Sequence, residues 1–299
     1  MLTDSSAQAS PEKEGFQTPP LGQWGLAWKH LRRHPLAMIG LYGFLGLILI
    51  SLAAPWLTSV DPTEMDFNSI LSEPSVQHPF GTDNLGRDIF SRVVWGGRES
   101  LRVGLVAVFI AVCAGVVLGL ISGYFGGMID MIIQRLQDAI MAIPGILLIL
   151  SIFTVLGVGL FTAVVAMSIM FTPMFSRLSR GAAISIKNME YVLAAQALGA
   201  SHIRIMFRHI LPGIAAPLIT YATLAMGYSV LAVSGLSFLG LGAQPPSPEW
   251  GAMLNVGTNF LREAWWMSVF PGLAISAVVF FINLLGDGLV IALDPKLRQ

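Results

Sequence analysis

The sequence predicts an all-α integral membrane protein with six transmembrane helices. Three observations lead there. The 299 residues are 55% hydrophobic and only 11% charged, with mean hydropathy +0.72, whereas a soluble domain carries roughly 25% charged residues. Apolar runs recur at the ~20-residue length that a helix needs to cross a bilayer core. Those runs carry almost no ionisable side chain near their middles. A formal net charge of zero argues against a nucleic-acid partner, which needs a basic face. The single cysteine, Cys113, excludes a disulfide or a cysteine-based metal site within one chain and reads as a small buried hydrophobe.

The elements follow in order. Residues 1–20 hold Ser, Gln, Pro, Glu and Lys with few large apolar side chains, too few to bury the surface that ordering requires. Asp4, Glu12 and Glu14 stand where a signal peptide would be positive. Residues 21–36 place Trp24, Leu26, Trp28 and Leu31 beside Lys29, Arg32 and Arg33, the pattern of an interfacial helix. His30 and His34 lie at i, i+4, but a structural zinc site wants four ligands, so no metal site is expected. Ala37 to Leu57 is the first span, with Gly40, Gly43 and Gly46 permitting close approach of a neighbour.

Residues 58–101 form the largest polar segment between spans. Thr82 or Asp83 can cap an amphipathic helix there, with an apolar stripe of Ile89, Phe90, Val93 and Val94 resting on the membrane. Asp83–Arg87 and Asp88–Arg92 are i, i+4 pairs, worth about 0.3–0.5 kcal/mol each if exposed. Val103 to Ile121 is the second span, and Gly115, Gly119 and Gly123 give it a small-residue packing face. Ala139 to Ser176 is an uncharged run too long for one span and suited to a hairpin. Gly157-Val158-Gly159 is its turn, and Pro144 and Pro173 should kink the two spans. The fifth span starts at Ile214 and reaches roughly Val233. Residues 235–263 form a Gly- and Pro-dense external or re-entrant loop. The sixth span runs from Ala264 to Gly286, with Trp265 and Trp266 at the outer interface and Asn283 expected to make an interhelical hydrogen bond.

Between the fourth and fifth spans lies the most informative stretch, the polar segment 177–212. In its EYVLAAQALGASHIRIMFRHILP run, Tyr191, Ala194, Ala195 and Leu198 recur at helical spacing. Gly199 should stop that helix in a left-handed turn, and Ser201 should cap a second. The second helix would present Ile203, Met206, Phe207 and Ile210 on one face and Arg204, Arg208 and His209 on the other, ending at Pro212. Such an island is either an amphipathic connector on the membrane surface or a docking pair for another protein.

Lys and Arg number twelve on the side that holds both termini and the island, against five on the other (Arg87, Arg92, Arg98, Arg102, Arg262). The positive-inside rule then makes the termini and the island cytoplasmic. Charge-free spans weigh against a stand-alone carrier driven by an ion gradient. No G-x-x-x-x-G-K-[ST] loop is present to cradle ATP phosphates. Five scattered histidines without an acid, base or nucleophile beside them argue against a membrane enzyme. Uphill transport would therefore draw its energy from a partner.

Ala194, Ala195, Gly199 and Leu211-Pro212 stand at the spacing of the EAA loop of ABC importer permeases. Leu193 occupies the place of that family's Glu, and His209 the place of its Ile. Glu190-Tyr191-Val192 before the alanines and His209-Ile210-Leu211-Pro212 at the end resemble the dipeptide/oligopeptide branch. Two further strings resemble the same branch: Gly81-Thr82-Asp83 with Gly86-Arg87-Asp88, and Leu236-Ser237-Phe238-Leu239-Gly240 with Gln244-Pro245-Pro246. The resemblance covers residues from about 25 to the end. It implies a type I importer permease fold over 37–299 in a bacterial plasma membrane, moving dipeptides or short oligopeptides, with nickel chelates, glutathione or cationic peptides as alternative cargo. It implies a second homologous permease, two cytoplasmic ABC ATPases that carry the ATP and magnesium, and an external solute-binding protein. No cofactor or catalytic residue is implied for this chain itself. The resemblance assigns the ATPase contact to Glu190, Ala194, Ala195 and Gly199, with Tyr191, Ala200, Arg204, His209, Leu211 and Pro212 completing the coupling loop.

Overall fold

A computed structural model describes residues 23–293. The expected tail 1–20 and the last six residues, with Lys296 and Arg298, lie outside them. Among the described residues the chain is helical with no strand; one isolated bridge joins Thr82 and Asp88. The helices are α1 (Gln23–Leu31), α2 (Pro35–Leu52), α3 (Ala54–Leu57), α4 (Ile89–Phe125), α5 (Gly127–Ala142), α6 (Gly145–Leu156), α7 (Leu160–Ile186), α8 (Glu190–Ala197), α9 (His202–Arg204), α10 (Leu211–Phe238), α11 (Trp250–Gly257) and α12 (Trp266–Leu293). A π-helical segment, Ile205–Ile210, makes α9 continuous with α10, and a 3-10 turn, Thr258–Phe260, follows α11. Among the described residues five helices are long and apolar enough to cross a membrane, and a sixth span arises if the bent pair α5–α6 is one.

The central packing is α4 against α7. An ideal Cβ at Gly115 would stand 2.6 Å from Phe175 Cβ, one at Gly119 2.6 Å from Ser179 Cβ and closer still to the Ser176 carbonyl, and one at Gly123 2.7 Å from the Arg180 carbonyl. Three glycines four residues apart thus form a groove that admits the α7 backbone. The opposing α7 face holds Ser168, Ser176, Ser179 and Ala183, all buried. Without a hydrophobic drive between helices in lipid, such close backbone approach supplies the packing. Below the seam Arg180 grips Asp130 of α5 through two bonds of 2.6 Å, and Arg177 meets Asp138 at 2.7 Å. Lys187 Nζ donates to the Gly123 carbonyl at 2.9 Å.

Several elements differ from the sequence reading. The amphipathic stretch after Asp88 and the second span are one helix of 37 residues. Its cap is neither Thr82 nor Asp83 but Asp88, whose carboxylate accepts from Ser91 N at 2.7 Å. Ile89 and Val94 are buried against protein, not lipid. Pro144 does more than kink the third span: α5 and α6 meet at 93°. Proline offers no N–H and forces Ile143 into extended backbone, so the helix stops and restarts. Pro173, by contrast, sits inside an unbroken α7. Gly157 and Gly159, with φ of +84° and +144°, make the expected turn. Helix α10 reaches Phe238, and α11 interrupts the loop 235–263. Trp266 is buried and donates to the Thr82 carbonyl at 3.0 Å; only Trp265 is exposed. Asn283 and Cys113 face outward instead of inward.

At the end of the bundle where α4 starts, charge is buried. Asp83 pairs with Arg87 at 2.7 Å and stands 3.7 Å from Arg92, while Asp88 pairs with His78, not with Arg92. Arg92 also donates to the carbonyls of Pro62 (2.8 Å), Pro246 and Ser247 (3.4 Å each), tying two distant loops to α4. Glu249 is 0% exposed. It caps α11 through Ala252 N at 2.9 Å and accepts from Ser100 at 3.1 Å and Ser234 at 3.4 Å. Nothing in the sequence pattern singles out this carboxylate, because its partners are serines more than fourteen residues away.

Four expectations follow. Gly119→Leu should lower the melting temperature of the purified protein, at a cost of about 3 kcal/mol or more, since the clash is with α7 backbone. Gly181→Ala, where a Cβ meets nothing within 4 Å, should be neutral or slightly stabilising by thermal unfolding. Asp83→Ala should cost about 3–5 kcal/mol by leaving two buried guanidinium groups uncompensated. Glu64→Ala, in the exposed part of the same loop, should leave the unfolding curve unmoved.

Candidate functional site

The candidate site is the polar segment 177–212, built at the far end of the α4–α7 seam. Helix α8 is eight residues long and carries Glu190 in its first turn, where a carboxylate suits the helix dipole. It is anchored by one side chain. Val192 is 0% exposed and joins the cluster formed by Val116, Leu120, Ala183, Ile186, Ile205 and Met206. The expected stripe of Tyr191, Ala194, Ala195 and Leu198 does not face inward. Tyr191 and Ala194 are exposed, Ala195 is half-buried, and Leu198 is 88% exposed. In a helix of two turns only one apolar position need face the bundle, and Val192 takes it.

The stop is a complete Schellman motif. Gly199 has φ +79°, its N–H donates to the Gln196 carbonyl at 2.9 Å, and Ala200 N–H reaches back to the Ala195 carbonyl at 3.1 Å. Both bonds are those that satisfy the orphan carbonyls of a helix end. The left-handed backbone is what requires glycine there, for a Cβ would meet nothing within 4 Å. Half-buried Ala200 packs on the cluster below. Ser201 then caps the next helix, its Oγ accepting from Arg204 N at 3.4 Å.

The second helix does not end at Pro212. It runs through the π segment Ile205–Ile210 into α10, with Pro212 in the first turn of α10. A proline ring clashes with the carbonyl four residues earlier in a regular α-helix. Widening the preceding turn to π geometry relieves that clash, and π segments often mark functional positions. The buried face is Ile205, Met206 and Ile210, whereas Ile203 and Phe207 are exposed. The extra residue in the π turn shifts the register, which a 3.6-residue period cannot anticipate. His209 Nδ1 stands 3.3 Å from the Arg204 carbonyl and must carry the proton to donate there. Tyr191 Oη donates to the His209 carbonyl at 3.2 Å, bracing α8 against the π segment. Tyr124 Oη lies 2.8 Å from His202 Nδ1, so the end of α4 holds the start of α9.

The outcome is a braced projection with an apolar outer surface. Leu193, Leu198, Ile203 and Phe207 are exposed upon it, flanked by Glu190, Arg204 and Arg208. Leu211 is half-buried and Pro212 exposed at its base. The sequence pattern missed Val192 as the anchor and Leu198 as the most exposed apolar side chain. It also missed the Tyr124–His202 brace, for which the sequence carries no local signal.

Known proteins place this architecture. Residues 115–299 match the family described as binding-protein-dependent transport system inner membrane component, and residues 22–74 match the N-terminal TM domain of oligopeptide transport permease C. The chain is 44% identical over 299 residues to the dipeptide transport system permease protein DppC of Alkalihalophilus pseudofirmus strain OF4, covering 100% of this chain and 97% of that one. It is 43% identical over 276 residues to the glutathione transport system permease protein GsiD of Escherichia coli O6:K15:H31, covering 92% and 91%. Among solved structures, an inward facing conformation of the MetNI methionine ABC transporter superposes with TM-score 0.54 and 21% identity, covering 69% of this chain and 96% of that one, which establishes the shared fold. The chain belongs to the family of inner membrane components of binding-protein-dependent transport systems, as a multi-span permease of the ABC importer type.

Proposed function

We propose that this chain is one of two permease subunits of an ATP-driven importer of short peptides. The observation that carries the cargo class is full-length similarity to a dipeptide permease. Similarity to a glutathione permease points the same way, since glutathione is itself a tripeptide. In this reading the segment 177–212 faces the cytoplasm, as do both termini, in accord with the excess of Lys and Arg on that side. A cytoplasmic ATPase grips the apolar crown of Leu193, Leu198, Ile203 and Phe207, with Glu190 and Arg204 at its rim. ATP and magnesium sit on that partner. A second, homologous permease completes the pore, membrane lipid surrounds the pair, and an external binding protein delivers the peptide.

The mechanism is mechanical. ATP binding draws two ATPases together and displaces both projections. Val192, the Schellman turn at Gly199 and the Tyr191–His209 bond make each projection move as one body. Its motion passes to α7 through Ile186, to α4 through Lys187, and to α10 through the continuous π segment. A stand-alone carrier would instead need an ion-relaying charge in its spans.

The test is assembly and hydrolysis of the co-expressed complex. ATPase subunits should co-purify with the native chain, and Ala194→Glu with Gly199→Leu should abolish both co-purification and binding-protein-stimulated hydrolysis. Gly199→Ala alone, which forces a Cβ into a left-handed turn at a cost of about 1 kcal/mol, should lower stimulated hydrolysis only partially. Transport by the native chain alone in liposomes, without ATP, would overturn this reading.

A further inference from the structure

A cavity of about 570 Å³ lies between α2, α4 and α10, with Ser51, Trp95, Arg98, Glu99, Arg102 and Met226 in its wall. Its volume falls within the roughly 300–1,000 Å³ typical of small-molecule sites. We propose that this cavity binds the two charged ends of a peptide in transit, Arg98 and Arg102 taking the carboxylate and Glu99 the ammonium group. The proposal rests on the peptide-importer reading above and deepens it by locating a cargo contact in the permease.

Four observations support it. First, Arg98, Glu99 and Arg102 sit on adjacent turns of α4 and line one cavity, yet none makes an ion pair or side-chain hydrogen bond among the described residues. The charges just before them on the chain, Asp83, Arg87, Asp88 and Arg92, are all engaged. Structure consumes the first group and leaves the second free for a ligand. Second, Arg98 is already oriented. Its guanidinium lies 5.0 Å from the Trp95 ring centroid, and Trp95 Nε1 donates to Thr58 Oγ1 at 2.9 Å, which fixes the ring. Third, both signs are present. Glu99 and Arg102 lie three residues apart, a rise of about 4.5 Å along the helix before their side chains reach outward, and an extended dipeptide spans at most about 7 Å. The separation suits a zwitterion, whereas Glu99 repels the phosphate of an anionic lipid. Fourth, the remaining wall is mostly apolar, with Ile48, Leu101 and Met226. Such a wall accepts varied side chains without reading them.

The experiment measures binding without the solute-binding protein, so that its selectivity does not enter. The assembled permease–ATPase complex is placed in nanodiscs of zwitterionic lipid. Saturation-transfer NMR then compares the dipeptide Ala-Phe with its C-terminal amide and its N-acetyl form. The native complex should bind the free dipeptide about tenfold or more tightly than either capped form. Arg98→Gln with Arg102→Gln should lose the preference over the amide and keep the preference over the acetyl form. Glu99→Gln should do the reverse, a double dissociation that a general loss of structure cannot produce. Arg98→Lys with Arg102→Lys, retaining both charges, should keep both preferences and serves if the glutamine pair does not assemble. Equal binding of all three peptides by the native complex, or unchanged preferences in the variants, would overturn the proposal. So would a preference that vanishes when anionic lipid is added to the disc, which would assign the arginines to a headgroup. ATP-driven uptake of Ala-Phe by the native complex with its binding protein is measured in parallel. If no peptide is taken up there, the peptide-importer reading falls and this proposal with it.

Discussion

Close backbone approach between α4 and α7 is the constraint on which the rest of the structure depends. Three glycines remove the side chains that would hold the helices apart, and buried serines and alanines on α7 complete the contact. The seam sets the position of Arg177 and Arg180, which hold α5, and of Lys187, which caps the end of α4. It also brings Val192, Ile205 and Met206 onto the same apolar cluster as Val116 and Phe175. The projection is therefore mounted on the most tightly packed pair in the bundle. In the proposed mechanism this mounting is what would let the projection pass on displacement, because packed interiors shift as units and do not deform continuously.

The opposite end of α4 is secured by different chemistry. There the loops are long and polar, and buried charge holds them. One aspartate faces two arginines, and one of those arginines reaches two loops more than 150 residues apart in sequence. Glu249 links α4, α10 and α11 through serines and a helix cap. Hydrogen bonds that satisfy each lone pair are what make such burial tolerable. A helix of 37 residues thus runs from a charge-bonded region to a projection whose outer surface is apolar.

Much of this was legible from periodicity and composition, and the departures have physical reasons. The apolar runs announce the spans, since a bilayer imposes their length. The glycine spacing of 115, 119 and 123 announces a close helix contact but not its partner, which lies some sixty residues later in α7. Gly199 and Ser201 were readable because caps are local chemistry. The faces of the two short helices were not. Val192 replaces the expected stripe because two turns need one anchor, and the π segment displaces Ile203 and Phe207 to the outside. Charge at 83–92 reads locally as weak surface pairs; only the folded loops show it to be buried. Pro144 signals a kink, whereas the direction in which α5 then runs is seen only in the fold, where Asp130 and Asp138 meet Arg180 and Arg177 of α7.

The central claim is that the projection is where the ATP-binding partner takes hold. A photo-crosslinking amino acid at position 198, whose side chain is 88% exposed, tests it in the assembled membrane complex. The same probe at position 76, fully exposed in the opposite loop, serves as the reference. The account predicts an adduct with an ATPase subunit from position 198 and none from position 76. An ATPase adduct from position 76, or none from 198 in a complex that hydrolyses ATP, would contradict it.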